Sequence, residues 1–273
     1  MMHLAIRHVT SYSFSEPATR GLQRLRLRPK SSHGQQVLDW TMELQGARLE
    51  AEYEDENNNR AALISIVPGV AELTIACSGL VATTDNAGIV GPHLGYMPLW
   101  RFRAQTPLTQ PGPKIRALVS RLEPDNKRSL PLLHELSDAV LAAVRYETGH
   151  TDAKTTAEAA MAEGRGVCQD HAHIFIGAAR LMGFAARYVS GYLMMDDRVD
   201  QDAGHGWAEA HVDGLGWVAF DVSNEICADE RYVRVATGCD YREAAPVTGI
   251  SFGGASATLA VSLAVEQQQI VEQ

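Results

Sequence analysis

Apolar and polar residues alternate with a period of two through most of the first 85 residues. Segments such as HLAIRHV, VLDWTMEL and ALISIV have the length of strands and are separated by clusters of Gly, Pro, Asn and Ser. No segment in this region keeps the three-and-four spacing of an amphipathic helix. The pattern predicts an antiparallel, sandwich-like β domain over residues 1–85.

The hydrophobic period changes after a stretch that is rich in Pro and Gly. Residues 86–113 have no period and are typical of a connector. Helical spacing and helix-forming residues follow in three segments between residues 114 and 163. A further helix is predicted to begin near Cys168 and to end at Gly183, because glycine is common just after a helix C-terminus.

Strand patterns return in AARYVSGYLM, HGWAEAHV and GWVAFDVS, and again near the end in ATLAVSLAV. Helices followed by strands, without strict alternation, are typical of an α+β domain with an antiparallel sheet. We therefore expect an α+β protein, in which the β domain and the connector precede a second domain over residues 114–273.

Composition and charge argue against two classes of partner, nucleic acids and membranes. The formal net charge of -9 argues against nucleic acid, which needs a surplus of Lys and Arg. No segment approaches the ~18 consecutive apolar residues of a membrane helix, and the N-terminus lacks the apolar run of a signal peptide. The four cysteines are widely spaced, which is not a disulfide framework. These features predict a cytoplasmic protein without nucleic-acid or membrane partners.

Cys168 follows the glycine-rich turn GRGV at the start of the predicted helix. A single cysteine is most often a small core residue. In the first turn of a helix, however, the unpaired backbone N–H groups and the helix dipole favour a thiolate, which is the nucleophilic form. The same N–H groups can stabilise an oxyanion that forms beside the sulfur. This position favours a nucleophile over a packing thiol.

A nucleophilic cysteine needs a base, and the base needs a group that orients it. The segment HGWAEAHVDGLGWVAFDVSN predicts a β-hairpin that turns near DGLG, with His205 at its start and Asp221 at its end. If the connection has an odd number of residues, Val212 opposes Gly216. His205 and Asp221 then lie on one face as diagonal neighbours. An even connection would place them on opposite faces, so the triad hypothesis requires one register.

Two alternatives remain open from the residues alone. The first is a zinc site formed by Cys168, His171 and His205, which are acceptable ligand types. The chain contains no Cys-x2-Cys or His-Glu-x2-His element, and this makes the zinc site the less favoured reading. The second is a binding module that keeps the fold without turnover. The favoured triad requires neither a metal nor a cofactor.

Three further residues are predicted to bind substrate around these positions. Trp207 lies beside the predicted base, Tyr146 precedes the loop that leads to Cys168, and Asp170 lies in the first turn of the helix. Each has a structural alternative, which is core packing for the two aromatic residues. For Asp170 the alternative is a favourable interaction of its carboxylate with the helix dipole.

The segments GRGVCQDHAHIFIGAARLMGFAARYVSGYL and HGWAEAHVDGLGWVAFDVSN resemble the core of the bacterial transglutaminase-like superfamily, often described as candidate cysteine proteases. AIRHVTSYSFSEPATRGLQRLRLRP looks like the β domain that precedes this core in one bacterial branch. The resemblance implies a papain-like fold with Cys168, His205 and Asp221 as the triad. It also implies acyl transfer on protein or peptide amides through a thioester, which water or an amine resolves. Gly206 departs from the pattern, in which Ala usually follows the His.

Overall fold

The computed structural model describes residues 1–122, 129–252 and 257–268. The strands are β1 (Met2–Phe14), β2 (Arg20–Arg28), β3 (Gln35–Gln45), β4 (Ala47–Glu54), β5 (Arg60–Ile66), β6 (Glu72–Thr83), β7 (Ile89–Gly91), β8 (Arg145–Tyr146), β9 (Arg165–Gly166), β10 (Ala186–Leu193), β11 (Asp200–Gln201), β12 (His205–Val212), β13 (Gly216–Phe220), β14 (Tyr232–Gly238), β15 (Val247–Phe252) and β16 (Ala257–Gln267). The helices are α1 (Pro113–Arg121), α2 (Leu130–Ala143), α3 (Ala157–Glu163), α4 (Cys168–Leu181) and α5 (Tyr241–Ala244), with 3-10 turns at Leu99–Arg103 and Val222–Asn224. The predicted α+β class is confirmed.

The N-terminal region forms a β-sandwich. One sheet has the strand order β11-β16-β1-β6-β3 and the other has the order β15-β2-β5-β4. Buried side chains from both sheets, among them Leu25, Ile64 and Ile75, form the apolar cluster between them. Alternation along these strands sends every second side chain into this cluster, which is why the period of two predicted them.

The last two strands of the chain belong to this sandwich. β16 pairs with β1 from Leu4 opposite Gln267 to Phe14 opposite Ala257, and β15 pairs with β2. The predicted second domain over residues 114–273 therefore requires a correction at its end. Strand periodicity identified ATLAVSLAV as a strand but carries no information about its partner, because pairing joins residues that are distant in the chain.

The second region is a sheet in the order β14-β10-β12-β13-β7 with helices on one face. Helix α4 is buried along most of its length because it packs against β12 and is covered by α1, α2 and α3. The connector contributes β7, which pairs with β13, and the buried side chain of Phe102. In the described part of the chain, no helix has both the length and the apolar character needed to span a membrane.

The predicted hairpin is β12 and β13. Val212 opposes Gly216 and Ala208 opposes Phe220, so the connection has three residues. Gly214 in this connection has a φ of 85°, a left-handed conformation that favours glycine. The odd register that the triad hypothesis requires is confirmed.

Candidate active site

Cys168 is the first residue of α4 and is partly exposed. The chain reaches it through two glycines. Gly164 ends α3 in the left-handed region with a φ of 71°. At Gly166 a Cβ would lie 2.7 Å from the Asp170 carboxylate, so a side chain there would push this carboxylate away. The sequence Gly-Arg-Gly therefore folds into the sharp turn that was predicted, and the turn presents the thiol at the start of the helix.

Asp170 fixes the beginning of this helix. It is 1% exposed, and its Oδ2 accepts hydrogen bonds from the Val167 backbone N–H at 2.8 Å and the Thr151 hydroxyl at 2.7 Å. Burial raises the pKa of the carboxyl, and these hydrogen bonds oppose the rise. The prediction that Asp170 binds substrate is therefore corrected. Its carboxylate faces inward and caps the N-terminus of α4.

His205 lies between Cys168 and Asp221. Its Nε2 is 2.5 Å from Asp221 Oδ2, and its ring lines the same cavity as Cys168. An ionised carboxylate only accepts, so Nε2 carries a hydrogen and Nδ1 is left for the sulfur. Burial lowers the pKa of His205, but a negative charge on Cys168 and the hydrogen bond to Asp221 outweigh burial and raise the pKa to about 10.

Asp221 is 1% exposed and accepts hydrogen bonds from four groups. Oδ2 accepts from His205, from the Tyr232 hydroxyl at 2.7 Å and from the Asn224 amide at 2.7 Å, while Oδ1 accepts from the Ser223 backbone N–H at 3.1 Å. Burial raises the pKa of Asp221, but these donors, His205 first, outweigh burial and leave the pKa below its usual value. The carboxylate stays ionised and fixed beside the imidazole.

Trp207 lies behind the imidazole rather than beside the thiol. It is 2% exposed, its ring stacks on His205 at 6.1 Å between centroids, and it meets the Tyr232 ring edge-on at 5.3 Å. Its side chain also fills the space next to Gly191. The predicted role of Trp207 in substrate binding is therefore corrected to packing that holds the His205 ring in place.

Tyr146 is the predicted substrate-binding residue that remains at the surface, with 51% of its side chain exposed. β8 pairs with β9, which places Tyr146 opposite Gly166 on the approach to Cys168. Burial and then the nearby negative charges of Cys168 and Asp221 raise the pKa of the phenol. Its role in substrate binding stays a prediction.

The His171 ring is fully engaged in hydrogen bonds. Nε2 donates to the Val144 carbonyl at 2.9 Å, so Nδ1 is free to accept from the Ser223 hydroxyl at 2.8 Å. Burial lowers the pKa of His171, which keeps the ring neutral. No lone pair is left for zinc, and no group of three or more His, Cys, Asp or Glu side chains within the described ranges could hold a metal ion. The geometry gives the zinc alternative no support.

Cys168 and His205 open onto a cavity of about 320 Å³ between the sandwich and the second region. We call its two sides the core wall and the sandwich wall. The core wall includes Cys168, Gln169, Tyr188, Ser190, Gly191, His205, Gly206 and Tyr241. The sandwich wall includes His8, Thr10, Tyr12, Arg26, Leu27, Leu259 and Val261. Sequence reasoning missed the sandwich wall because β1, β2 and β16 come from opposite ends of the chain.

Tyr188 was also missed, although the sequence held a signal for it. A methyl group on Gly206 would overlap the hydroxyl oxygen of Tyr188. The unusual glycine after His205 therefore leaves the space that the phenol occupies in the core wall.

Two family models match the chain. Residues 116–222 match the transglutaminase-like superfamily, and residues 4–82 match the bacterial transglutaminase-like N-terminal region. An uncharacterized protein of Mycobacterium leprae is 29% identical over 278 residues, covering 94% of this chain and 96% of the relative. An uncharacterized protein of Mycobacterium bovis is 26% identical over 274 residues, covering 90% and 87%.

The fold is similar to that of a candidate cysteine protease from Cytophaga hutchinsonii. The TM-score is 0.78 at 20% sequence identity, and the similarity covers 100% of this chain and 92% of that chain. At this identity the similarity establishes the fold alone. The chain therefore contains a region that matches the transglutaminase-like superfamily, residues 116–222, preceded by one that matches the bacterial transglutaminase-like N-terminal region, residues 4–82.

Proposed function

We propose that the protein is a cysteine-dependent acyl-transfer enzyme that acts on protein or peptide amides. One observation carries the proposal. Cys168 at the start of α4 and His205 line one cavity, and the imidazole of His205 bonds the buried carboxylate of Asp221 at 2.5 Å. A nucleophile, a base and an orienting group in this order are the arrangement that activates a thiol for attack on a carbonyl.

The first half-reaction forms a thioester. Cys168 Sγ attacks the carboxamide carbon of a Gln side chain or a peptide bond, and the C–N bond breaks. Protonated His205 gives its proton to the departing nitrogen, which leaves as ammonia or an amine. Asp221 holds the imidazole in the required tautomer and stabilises its charged form.

The second half-reaction releases the acyl group. Water or a primary amine attacks the thioester carbon, and His205 removes the proton of the attacking group. The C–S bond breaks and the thiolate is regenerated. Water as the acceptor gives deamidation or proteolysis, and an amine gives a crosslink.

Backbone N–H groups supply the oxyanion site in this proposal. The first hydrogen bonds of α4 come from the N–H groups of Asp170 and His171, and both end on the Val167 carbonyl. The N–H groups of Cys168 and Gln169 precede them, and such positions have no acceptor within a helix. They are available to a negative oxygen that forms beside the sulfur.

We propose the cytoplasm as the compartment. All four cysteines are free thiols, which suits a reducing environment.

The test is mass spectrometry of Gln-containing peptides after incubation with the protein and a labelled primary amine. Label incorporation indicates amine transfer, whereas a gain of about one mass unit per Gln, or cleavage, indicates water as acceptor. Each change is expected to disappear in Cys168→Ala and to persist in Cys227→Ala, which removes a half-buried thiol outside the triad. Equal alkylation rates of Cys168 and Cys227, with no peptide changed, would favour the binding module instead.

A further inference from the structure

Among the described residues that line the cavity, Arg26 is the one Lys, Arg, Asp or Glu side chain, and it comes from the sandwich wall. Arg26 lies on β2, is 2% exposed and lines the same cavity as Cys168 and His205. An arginine is rarely this buried unless its charge serves a partner. The alternation of Arg and Leu along this strand is typical of a solvated face, and exposed Arg24 fits that pattern, whereas Arg26 does not.

The described residues satisfy only part of the hydrogen-bond donors of Arg26. Its Nε donates to Asp55 Oδ2 at 2.8 Å, whereas its buried Nη1 has no hydrogen-bond partner among the described residues. A guanidinium carries five N–H groups in a planar fork, of which Nε supplies one. A buried donor without an acceptor is costly, and this cost is removed when a ligand supplies the acceptor.

Asp55 is not free to accept hydrogen bonds from the remaining N–H groups of Arg26, because its oxygens already accept from other groups. Its Oδ1 accepts from the backbone N–H groups of Asn57 at 3.0 Å and Asn59 at 2.9 Å. Its Oδ2 accepts from the Asn59 side-chain amide at 3.1 Å as well as from Arg26. The carboxylate is thus held against its own loop and meets Arg26 on one edge.

The remaining lining of the cavity contains no opposing carboxylate. No Asp or Glu is among the described residues that line it. His8, on the same wall, is buried, and burial lowers its pKa to about 4, so the ring is neutral at pH 7. The fixed charge of the cavity surface is therefore positive, and it lies on the wall opposite the proposed triad.

We propose that Arg26 binds a carboxylate of the substrate, so that the enzyme selects peptides with an acidic group near the reacting amide. A carboxylate matches the fork of a guanidinium and pairs with it through charge-assisted hydrogen bonds. The group is either the C-terminal carboxylate of a peptide or an acidic side chain. This inference rests on the proposed function for the identity of the ligand as a substrate.

The experiment measures binding without turnover, in the full chain carrying Cys168→Ala. Calorimetry compares N-acetyl-Gln-Gly with a free C-terminal carboxylate, the same peptide amidated, and amidated N-acetyl-Gln-Glu. We expect at least one carboxylate peptide to bind about tenfold tighter than the neutral amide. The peptide whose affinity exceeds that of the neutral amide shows whether Arg26 binds a C-terminal carboxylate or an acidic side chain. The preference is expected to fall below about twofold when Arg26→Gln is added and to persist when exposed Arg24→Gln is added.

Breaking the buried pair with Asp55 can unfold Arg26→Gln. Arg26→Lys is therefore measured as well, since it keeps the charge but loses the planar fork, and a partial preference is expected. Equal binding of acid and amide, no binding of the carboxylate peptides, or an unchanged preference in a folded Arg26 variant would overturn the inference. Failure of the proposed function is a separate result, because it shows as neither labelling, deamidation nor cleavage of peptides by the chain with Cys168 intact.

Discussion

The two walls of the cavity are built in different ways. The core wall comes mainly from α4, β10 and the start of β12, which are close in sequence and carry the proposed nucleophile and base. The sandwich wall comes from β1, β2 and β16, which meet only when both ends of the chain pair. One wall is assembled by local structure and the other by long-range strand pairing.

This difference between the walls matches a division between reactivity and substrate selectivity. Reactivity, in our proposal, depends on the order of Cys168, His205 and Asp221, which a helix start and one hairpin register determine. Selectivity, in our proposal, depends on Arg26 and its neighbours across the cavity. Changes in the core wall should therefore affect the chemical step or the fold, and changes in the sandwich wall should affect binding.

The largest effect is expected for Asp221→Asn. Loss of the orienting carboxylate leaves the imidazole in the wrong tautomer, so acylation of Cys168 should slow about 10³–10⁴-fold. Single-turnover thioester formation measures this, with Asp229→Asn as the control, since Asp229 pairs with Arg231 and, among the described residues, makes no hydrogen bond to His205 or Asp221. A fall in the acylation rate of less than tenfold would show that Asp221 does not orient the base. It would also contradict the assignment of reactivity to the core wall.

Next in size is the effect of Glu209→Gln on stability. Glu209 is fully buried, with Oε2 at 2.6 Å from Arg187 Nε and Oε1 at 2.7 Å from Arg234 Nε, the second an ion pair without hydrogen-bond geometry. Removing its charge leaves two guanidinium groups uncompensated, so the free energy of unfolding should fall by about 3–5 kcal/mol. Urea unfolding measures it, and Glu163→Gln in an exposed pair should cost at most ~1 kcal/mol. Equal losses in both would contradict the prediction.

Gly206→Ala tests how closely the core wall is fitted. The added methyl overlaps the hydroxyl oxygen of buried Tyr188. Overpacking of this kind should lower the free energy of unfolding by about 1–3 kcal/mol. Adding Tyr188→Phe removes the nearest atom but leaves its ring carbon 2.8 Å from the methyl, so it should restore part of the loss in thermal unfolding. A double variant no more stable than Gly206→Ala would mean that the tyrosine is not the obstacle.

Acid should weaken the sandwich wall through His8. Its Nδ1 bonds the Tyr192 hydroxyl at 2.9 Å and its Nε2 bonds Thr10 at 3.1 Å, and burial lowers the pKa from 6.5 to about 4. The unfolded chain therefore takes up this proton first. The contribution of His8 to stability is present above pH 6.5 and is lost as pH falls towards 4. Unfolding midpoints between pH 7.5 and 4.5 should drop less in His8→Gln than in the unmodified protein, and parallel curves would contradict this.

The smallest effect is expected for Leu259→Ser on β16. This side chain lines the sandwich wall but is 55% exposed, so its apolar contribution to binding is modest. With a peptide substrate found by the label assay, KM should rise about twofold to fivefold with kcat unchanged. A fall in kcat at constant KM would place chemistry on the sandwich wall and break the comparison.

Local features of the site could be predicted from the sequence. The start of α4 follows from the glycine turn and the helical spacing, and the odd connection at Gly214 places His205 beside Asp221. Both depend on residues within one or two elements, where period and turn chemistry determine the geometry.

Two features could not be predicted from the sequence, namely how deeply a side chain is buried and which strands pair with each other. Trp207 shares a strand face with His205, but the period of two indicates a face and not how far from the cavity a side chain lies. In the sequence, Asp170 is a polar residue near the thiol. Its role as a cap of α4 becomes evident only from the loop that brings Thr151 to its carboxylate. Arg26 lies in an alternating strand that is typical of a solvated face, and β15 and β16, which cover that sandwich, pair across most of the chain.

The pairing of β16 with β1 has a consequence for synthesis on the ribosome. β1 is synthesised long before residues 257–267, which complete its sheet and bring Leu259 and Val261 to the cavity. A nascent chain can form α4 and the hairpin while the opposite side of the site is still missing. Completion of the cavity therefore waits for the synthesis of β16, and a polypeptide that is stalled or cut before this strand exposes its thiol without the wall to which we assign selectivity.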